Sequence, residues 1–488
     1  MLKFLKQLAS ESLVYGLAGI ASRFLSIFLV PIYTRIFSPE DYGVMSLVTT
    51  TMSLVGIFVI LALDSAAGRW YWDTKDENDR KTTLSSWFWC QLVVASSFCA
   101  ITLIFSSELS HWIVKDGRAA IYFQISAFAL PIGLIGFVTS TWLRMQRRPW
   151  ATTFYALGVN IFNIVMTLIL VVFLRWGLLG IFYAQLFSAI VGGGIAIFLM
   201  RDWIHPRYLR FSRLSDMIKY AMPLIPASLA FWIVNSCDRY FIQNYSSTAE
   251  VGLYQVGSSI AWGIALFTGA FQQAWGPFSL SIHKRDDAKE VYAHVLLAYL
   301  WVTCVGVSLL AMFGSEVIMI FATQRYLGAN SVIGLLSLSY VMIGLGFIAS
   351  VGPTIMKTTA PTGFGVTMAA ILNILFNFLL VPLWGKTGSA VATLVSQAMM
   401  PIYLFYRSQQ MYPIPYRFRP ATIIFITAII YIIVGALWQV HHLDPTVIVT
   451  KLLLVSLFVP VAFMARIITP DQARKLLSSI PGMRKEPV

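Results

Sequence analysis

Long apolar runs separated by short polar segments recur along nearly the whole chain. A helix needs about 20 mostly apolar residues to cross the hydrocarbon core of a bilayer. Fourteen runs approach that length, so the pattern predicts an all-α polytopic membrane protein with about 14 transmembrane helices. The predicted spans cover residues 12–34, 41–63, 83–106, 119–143, 152–174, 178–199, 218–243, 250–274, 291–313, 329–352, 362–383, 388–406, 421–440 and 446–467.

Lysine and arginine residues are unevenly distributed between alternate connections of these spans. The connections and adjoining span ends on the side of the N-terminus, Lys219 and Arg466 included, carry 26 of them. Those on the opposite side, Arg239 and Lys451 included, carry 8, and Arg23 lies deep inside the first span. Because loops that stay in the cytoplasm collect positive charge, the asymmetry predicts an even number of spans with both termini cytoplasmic. It also accounts for the net charge of +14 without a nucleic-acid partner.

The composition excludes an ordinary soluble fold. Hydrophobic residues make up 58% of the chain and charged residues 11%, whereas soluble domains contain about 25% charged residues. The longest polar connections, 64–82 and 200–217, have only about twenty residues and are too short to form a domain. We therefore expect the activity of the protein to take place within the bilayer.

Two similar segments indicate an internal duplication. Ser38–Gly43 reads SPEDYG and Ser247–Gly252 reads STAEVG, at an offset of 209 residues. Each has the pattern of a capping box at a helix N-terminus, with a serine followed three residues later by an acid. Asn160 in the fifth span matches Asn373 in the eleventh at an offset of 213. The alternative is that such features recur by chance.

The duplication predicts two six-helix lobes, at residues 1–200 and 201–410, followed by two additional helices and a cytoplasmic tail at 411–488. Six is an even number, so both lobes have the same orientation, and their pseudo-twofold axis runs along the membrane normal. A cavity between two such lobes is typical of transporters.

Arg23 is the most informative candidate for substrate binding. It lies eleven residues into a helix that begins near Ser12, about 16 Å deep at 1.5 Å per residue. Gly16, Gly19 and Ser26 share its helix face. A guanidinium at this depth needs a partner or an anionic ligand, and its planar fork suits phosphate or pyrophosphate. The alternative is a structural ion pair or hydrogen bonds to helix carbonyls.

Other charged residues lie near the predicted ends of spans. Asp238 and Arg239 are near the end of the seventh span, where structural pairing and substrate contact are both open roles. Arg69 follows the second span and is a further candidate for substrate binding. Asp64 beside it, and Arg35 after the first span, are candidates for gating or substrate access.

Asparagines within the spans are candidates for packing or for sugar contacts. Asn160 and Asn163 share one helix face, as do Asn373 and Asn377. Amides inside a membrane usually join helices by hydrogen bonds. We assign Asn160 and Asn373 to the substrate path as the alternative to packing.

No motif predicts catalysis, a metal site or a cofactor. The triplet Gly385-Lys386-Thr387 resembles the end of a phosphate-binding loop, but no strand precedes it and Leu380 stands where the loop needs glycine. A polysaccharide polymerase or ligase is the enzymatic alternative, and we would expect it to have a longer outer loop than any in this chain.

Four segments resemble the polysaccharide-unit flippases (Wzx type) of the MOP exporter superfamily, which are relatives of lipid II flippases and multidrug exporters. They are SRFLSIFLVPIYTRIFSPEDYGVMSL at 22–47, LDSAAGRWYW at 63–72, YAMPLIPASLAFWIVNSCDRYFIQNYSSTAEVGLYQV at 220–256 and the asparagine-rich eleventh span. Arg23, Arg69, Asp238 and Arg239 match charged positions of the family pattern. The resemblance implies two six-helix lobes around a cationic cavity.

The same resemblance implies a function in the bacterial inner membrane. The expected substrate is an undecaprenyl-pyrophosphate-linked oligosaccharide, moved from the cytoplasmic to the outer leaflet for synthesis of cell-surface polysaccharide. Alternating access, driven by H⁺ or Na⁺ antiport or by the membrane potential, is the mechanism it implies, with a polymerase and a chain-length regulator as partners. A lipid II-type flippase and a multidrug or ion-coupled exporter of the same fold are the alternatives.

Overall fold

The apolar runs fold into helices throughout the part of the chain that the computed structural model describes, residues 29–458 and residue 460. No strand occurs in this part. The first ten α-helices are α1 Leu29–Ile36, α2 Pro39–Ile60, α3 Leu63–Asp73, α4 Glu77–Ile104, α5 Ser106–Leu109, α6 Ala120–Met145, α7 Pro149–Thr167, α8 Leu178–Met200, α9 Phe211–Ala221 and α10 Ile225–Ser236. The next nine are α11 Asp238–Tyr245, α12 Thr248–Ile282, α13 Ala288–Met312, α14 Gly314–Phe321, α15 Asn330–Ala349, α16 Val351–Ile355, α17 Ala360–Met411, α18 Phe418–Leu437 and α19 Pro445–Ser456. Short π-helical and 3₁₀ turns lie at Ser110–Val114, Gly117–Ala119, Leu168–Phe173, Pro206–Tyr208, Met222–Leu224 and Gln324–Ala329.

Eleven helical stretches within the described residues are long and apolar enough to span a bilayer. The longest, α17, has 52 residues and a non-helical backbone at Gly385, so it supplies two spans. Predicted spans two to thirteen each have a counterpart, and the all-α polytopic class is confirmed. The first and last predicted spans are described only over α1 and α19, and Arg23 lies outside the described residues.

The predicted capping signals start helices α2 and α12. Ser38 Oγ accepts a hydrogen bond from the Asp41 N–H at 3.2 Å, and Asp41 Oδ2 accepts one from the Ser38 N–H at 3.0 Å. This capping box is confirmed. At α12, Ser247 Oγ accepts from the Glu250 N–H at 3.3 Å, but the Glu250 carboxylate lies 2.7 Å from Lys386 Nζ. The second box is half formed because its acid pairs with a cation.

Basic residues end several helices in the left-handed backbone conformation. Six non-glycine residues of the described part have positive φ, and four of them are Lys115, Arg147, Arg175 and Lys357, at 53° to 63°. Glycine is the usual residue here, since the left-handed conformation costs other residues about 1–2 kcal/mol. A cation at a helix C-terminus recovers about 0.3–1 kcal/mol from the helix dipole. These residues therefore combine a helix stop with a positive charge at the helix end.

The described chain divides into two compact units. The first contains the residues up to Gln255 together with Asn377–Ser389, and the second contains Val256–Phe376 and the residues from Ala390 onward. The lobe boundaries at 200 and 410 stay a prediction. Trp87, Phe88 and Trp142 are at most 3% exposed in the core of the first unit. The core of the second unit is built around α13, with buried side chains of α15 and α18 packed against it.

A buried ion pair joins α14 and α19 within the second unit. Lys451 Nζ lies 2.7 Å from Glu316 Oε1, and the two side chains are 0% and 5% exposed. The ammonium also lies 5.8 Å from the ring centre of Phe313 and 5.6 Å from that of Trp438. The charge count above treats Lys451 as part of an outer connection, and the structure corrects this. Lys451 can be buried inside a helix because Glu316 and the rings of Phe313 and Trp438 stabilise its positive charge.

Candidate functional site

Asp238 is a buried carboxylate at the junction of two helices of the seventh predicted span. α10 ends at Ser236 and α11 begins at Asp238, which is 1% exposed. Its Oδ2 accepts a hydrogen bond from the Tyr254 hydroxyl at 2.5 Å, and its Oδ1 accepts one from the Asn377 side-chain amide at 3.1 Å. Burial of an ionisable group in a membrane span is costly, so such a group marks a functional-site candidate.

The helix α17 reverses direction at Gly385 and so brings Asn377 to this carboxylate. In a straight helix Asn377 and Ser389 would lie about 18 Å apart, yet the Ser389 hydroxyl donates to Asn377 Oδ1 at 2.6 Å. Gly385 has φ 53° and ψ −133°, a region that essentially only glycine adopts. The Gly385-Lys386-Thr387 triplet is thus a turn between two antiparallel spans.

The Arg239 guanidinium forms hydrogen bonds within the protein. Arg239 is only 8% exposed. The Nε and Nη2 groups donate to Gln255 Oε1 at 3.3 and 3.0 Å, and Nη1 donates to the Asn235 carbonyl at 2.6 Å. The guanidinium carbon lies 5.5 Å from the ring centre of Tyr254. These contacts favour the structural role left open by the sequence over direct substrate contact.

The starts of α2 and α12 cross at two glycines. A Cβ atom added to Gly43 would overlap the Thr248 carbonyl, and one added to Gly252 would overlap the Pro39 carbonyl. The offset of 209 found in the sequence converts one contact into the other, because it matches Gly43 with Gly252 and Pro39 with Thr248. Ser46 donates to Gln255 at 3.1 Å, and these two positions are themselves 209 apart. Reciprocal contacts of this kind are what a local twofold axis produces.

Within the part of the chain that the structure describes, four further predicted site residues lie outside the Asp238 network: Arg35, Asp64, Arg69 and Asn160. Arg69 pairs with Asp73, and the two side chains are 57% and 51% exposed. Arg35 is exposed at the end of α1, and Asp64 is half-buried at the start of α3. Asn160 is half-buried. Their roles in substrate binding, gating or access stay predictions.

Asn373 has contacts typical of helix packing. It is fully buried, and its side-chain amide donates to Ser396 Oγ at 3.2 Å and Thr393 Oγ1 at 3.4 Å. All three residues belong to α17, on opposite sides of its reversal. The amide therefore joins the two spans.

Sequence reasoning missed Tyr254, Gln255 and Ser389, and it placed Asn377 only on a packing face. The available signal was a polar side chain within an apolar span. Their partners could not be read from it, because Tyr254 lies 16 residues and Asn377 139 residues from Asp238 along the chain. A helical pattern describes the faces of one helix and not which helix packs against it.

Comparison with known proteins places this chain in a family. A family model described as "Polysaccharide biosynthesis protein" matches residues 32–331. "Lsg locus putative protein 1" of Haemophilus influenzae is 23% identical over 273 residues, which is 55% of this chain and 65% of the relative. "Succinoglycan biosynthesis transport protein ExoT" of Rhizobium meliloti is 24% identical over 243 residues, 49% of this chain and 46% of the relative. The chain thus spans about half to two thirds of the length of these relatives.

Solved structures show the same fold. A structure of the "Lipid II flippase MurJ, inward closed conformation" has a TM-score of 0.74 at 16% identity and covers 93% of this chain and 99% of its own. An inward-facing multidrug resistance MATE family transporter of the MOP superfamily has a TM-score of 0.64 at 15% identity and covers 81% and 97%. The family match extends over more than half of the residues, and the fold is that of these transporters. The chain therefore belongs to the polysaccharide biosynthesis protein family, and it shares its fold with these two solved structures.

Proposed function

We propose that this protein is a flippase that moves an undecaprenyl-pyrophosphate-linked oligosaccharide repeat unit from the cytoplasmic to the outer leaflet of a bacterial inner membrane. Membership of a polysaccharide biosynthesis family supports the substrate class. A relative named as a succinoglycan biosynthesis transport protein and a fold shared with a lipid II flippase support transport of a lipid-linked sugar. The product would supply a polysaccharide polymerase and its chain-length regulator at the outer face.

The observation that carries a transport mechanism is the Asp238 network. It joins the junction of α10 and α11 at Asp238 to the reversal of α17 through Asn377. Secondary transporters place ion sites where membrane helices are interrupted. The carboxylate, the Asn377 amide and the Ser389 hydroxyl supply the oxygen atoms that a proton or a small hard cation prefers. In this proposal H⁺ or Na⁺ binds here and drives alternating access.

Substitution of Asp238 tests this proposal in cells. Asp238→Asn keeps the size of the side chain and removes its negative charge, so we expect surface polysaccharide to fall by about tenfold or more at equal protein level, the effect of losing at least about 1.4 kcal/mol of coupling. Surface polysaccharide is measured in a strain whose own copy is deleted, together with the amount of inserted protein. Asp287→Asn, which changes an exposed carboxylate paired with Arg285, serves as the control.

Wild-type polysaccharide from inserted Asp238→Asn protein would remove the coupling role from this carboxylate. A multidrug exporter is the competing function, because MATE transporters share the fold. It predicts that deletion leaves surface polysaccharide intact and sensitises the cells to cationic drugs. Polysaccharide loss without drug sensitivity distinguishes the flippase.

A further inference from the structure

Two arginines pack against Trp72 in the first unit, and two more lie close to Arg147 in the sequence. The guanidinium carbon of Arg147 lies 5.2 Å from the ring centre of Trp72, and that of Arg80 lies 5.7 Å from it. Arg144 and Arg148 flank Arg147 in the same turn. Among the described residues, none of these four arginines forms an ion pair. Arg80 and Arg147 hold like charges against one ring without an acid partner, and an anionic ligand would relieve their repulsion.

The backbone of this turn does not require the arginines. Arg147 donates its N–H to the carbonyl three residues back at 3.0 Å, and Arg148 donates to the carbonyl five residues back at 3.1 Å. Lys357 and Thr358 repeat the two bonds at 3.1 and 3.0 Å, 210 residues later. The same left-handed helix end thus forms in the second unit with a single cation. Retention of a loop in the cytoplasm explains positive charge, and the carbonyls of Tyr71 and Thr74 hold Arg80 in place. Neither explains the guanidinium of Arg147 on the same indole.

Aromatic side chains place the cluster at the level of lipid headgroups. Trp72 is 49% exposed, and Trp150, two residues after Arg148, is 60% exposed. Tryptophan is enriched where a membrane meets water. By the charge rule this is the cytoplasmic side, where the substrate would be loaded. The helix α7 also begins beside Arg148 without a side-chain cap, so its first amides add to the positive potential.

We propose that Arg80, Arg144, Arg147 and Arg148 form a docking site for the pyrophosphate of the lipid-linked substrate before translocation. This inference rests on the proposed function. An arginine fork binds phosphoryl oxygens bidentately, and a pyrophosphate offers two adjacent phosphoryl groups to the four guanidiniums. A bilayer phospholipid such as phosphatidylglycerol has only one phosphoryl group, so it balances less of the positive charge of the four arginines.

The left-handed backbone of Arg147 allows the docking site to be tested by a substitution that retains the turn. Arg147→Gly removes the guanidinium, and glycine favours the left-handed conformation of this residue, so the helix end is retained. Lys357→Gly makes the same change in the matching turn and is the control. The full-length proteins are placed in phosphatidylcholine nanodiscs and titrated with undecaprenyl pyrophosphate, and bound lipid is counted by native mass spectrometry. We expect Arg147→Gly to weaken binding about tenfold, as for loss of one charge-assisted contact, and Lys357→Gly to leave it unchanged.

Each further outcome decides between explanations. Arg148→Gln should weaken binding in the same direction, because the cluster acts together. Equal binding by wild-type protein, Arg147→Gly and Arg148→Gln would mean that the arginines act only as a topology signal, and the inference would be wrong. Phosphatidylglycerol that displaces undecaprenyl pyrophosphate at equal mole fraction would show a general anionic-lipid patch and would also overturn it.

The two proposals fail separately. If wild-type protein translocates the lipid-linked oligosaccharide and Arg147→Gly binds undecaprenyl pyrophosphate normally, the docking site is wrong and the flippase function stands. If binding depends on Arg147 but deletion of the protein leaves surface polysaccharide unchanged, the docking site stands and the flippase function is wrong.

Discussion

At the scale of single residues, packing between the starts of α2 and α12 depends on Gly43 and Gly252. Each faces a backbone carbonyl of the other helix so closely that a Cβ atom would overlap it. The similarity of SPEDYG to STAEVG predicted both helix starts. It did not predict that the two motifs face each other, since a local pattern carries no information about a partner 209 residues away.

Replacement of Gly43 by alanine tests this crossing. The added methyl group must push the two helices apart, and overpacking of this kind typically destabilises by about 1–3 kcal/mol. We expect the Gly43→Ala protein to have a lower thermal unfolding midpoint in detergent. Gly56 lies on the same helix with nothing within 4 Å of an added Cβ, so Gly56→Ala should leave the midpoint unchanged or raise it. Equal midpoints for the two variants would contradict the close crossing.

Two adjacent charged residues could be singled out from the sequence. Asp238 and Arg239 are conspicuous in an apolar span, and the structure places both in buried networks. Asp238 and Arg239 are adjacent in the chain, but their contacts differ. The Arg239 guanidinium donates to Gln255 and to the Asn235 carbonyl. The Asp238 carboxylate instead accepts a hydrogen bond from Asn377, in the helix α17 that reverses direction.

At the scale of elements, α17 shows how a helical pattern becomes two spans. The apolar runs at 362–383 and 388–406 predicted separate helices with almost no connection between them. The structure makes the reversal within one continuous segment, because Gly385 adopts a backbone conformation closed to other residues. The position of the break was predicted, and the approach of Asn377 to Ser389 across it was not.

The contact between α14 and α19 gives a prediction about an ion pair. Removing one partner of a buried pair leaves an uncompensated charge and costs about 3–5 kcal/mol, whereas replacing both by apolar residues is often neutral. We expect Glu316→Leu to lower the thermal unfolding midpoint strongly, and Glu316→Leu with Lys451→Met to restore most of it. Asp73→Asn, at an exposed pair, should have little effect. A double variant as unstable as Glu316→Leu would show that the helices need the pair itself.

At the scale of the whole molecule, the all-α class and the approximate positions of predicted spans two to thirteen could be predicted, because the bilayer fixes both the length and the polarity of a span. The charge asymmetry, 26 against 8, adds a predicted orientation. The site was predictable only in part. Asp238 and Arg239 stood out, but Tyr254, Gln255 and Ser389 acquire their roles from contacts between distant segments.

Translocation by purified protein tests the central claim most directly. The wild-type chain is reconstituted in liposomes that contain an undecaprenyl-pyrophosphate-linked oligosaccharide, and its transfer between leaflets is followed with an added membrane-impermeant reagent that modifies the sugar. The account predicts protein-dependent transfer that accelerates under an imposed H⁺ or Na⁺ gradient and is lost in Asp238→Asn. Transfer no faster than in protein-free liposomes, with the inserted protein shown to be folded, would contradict it.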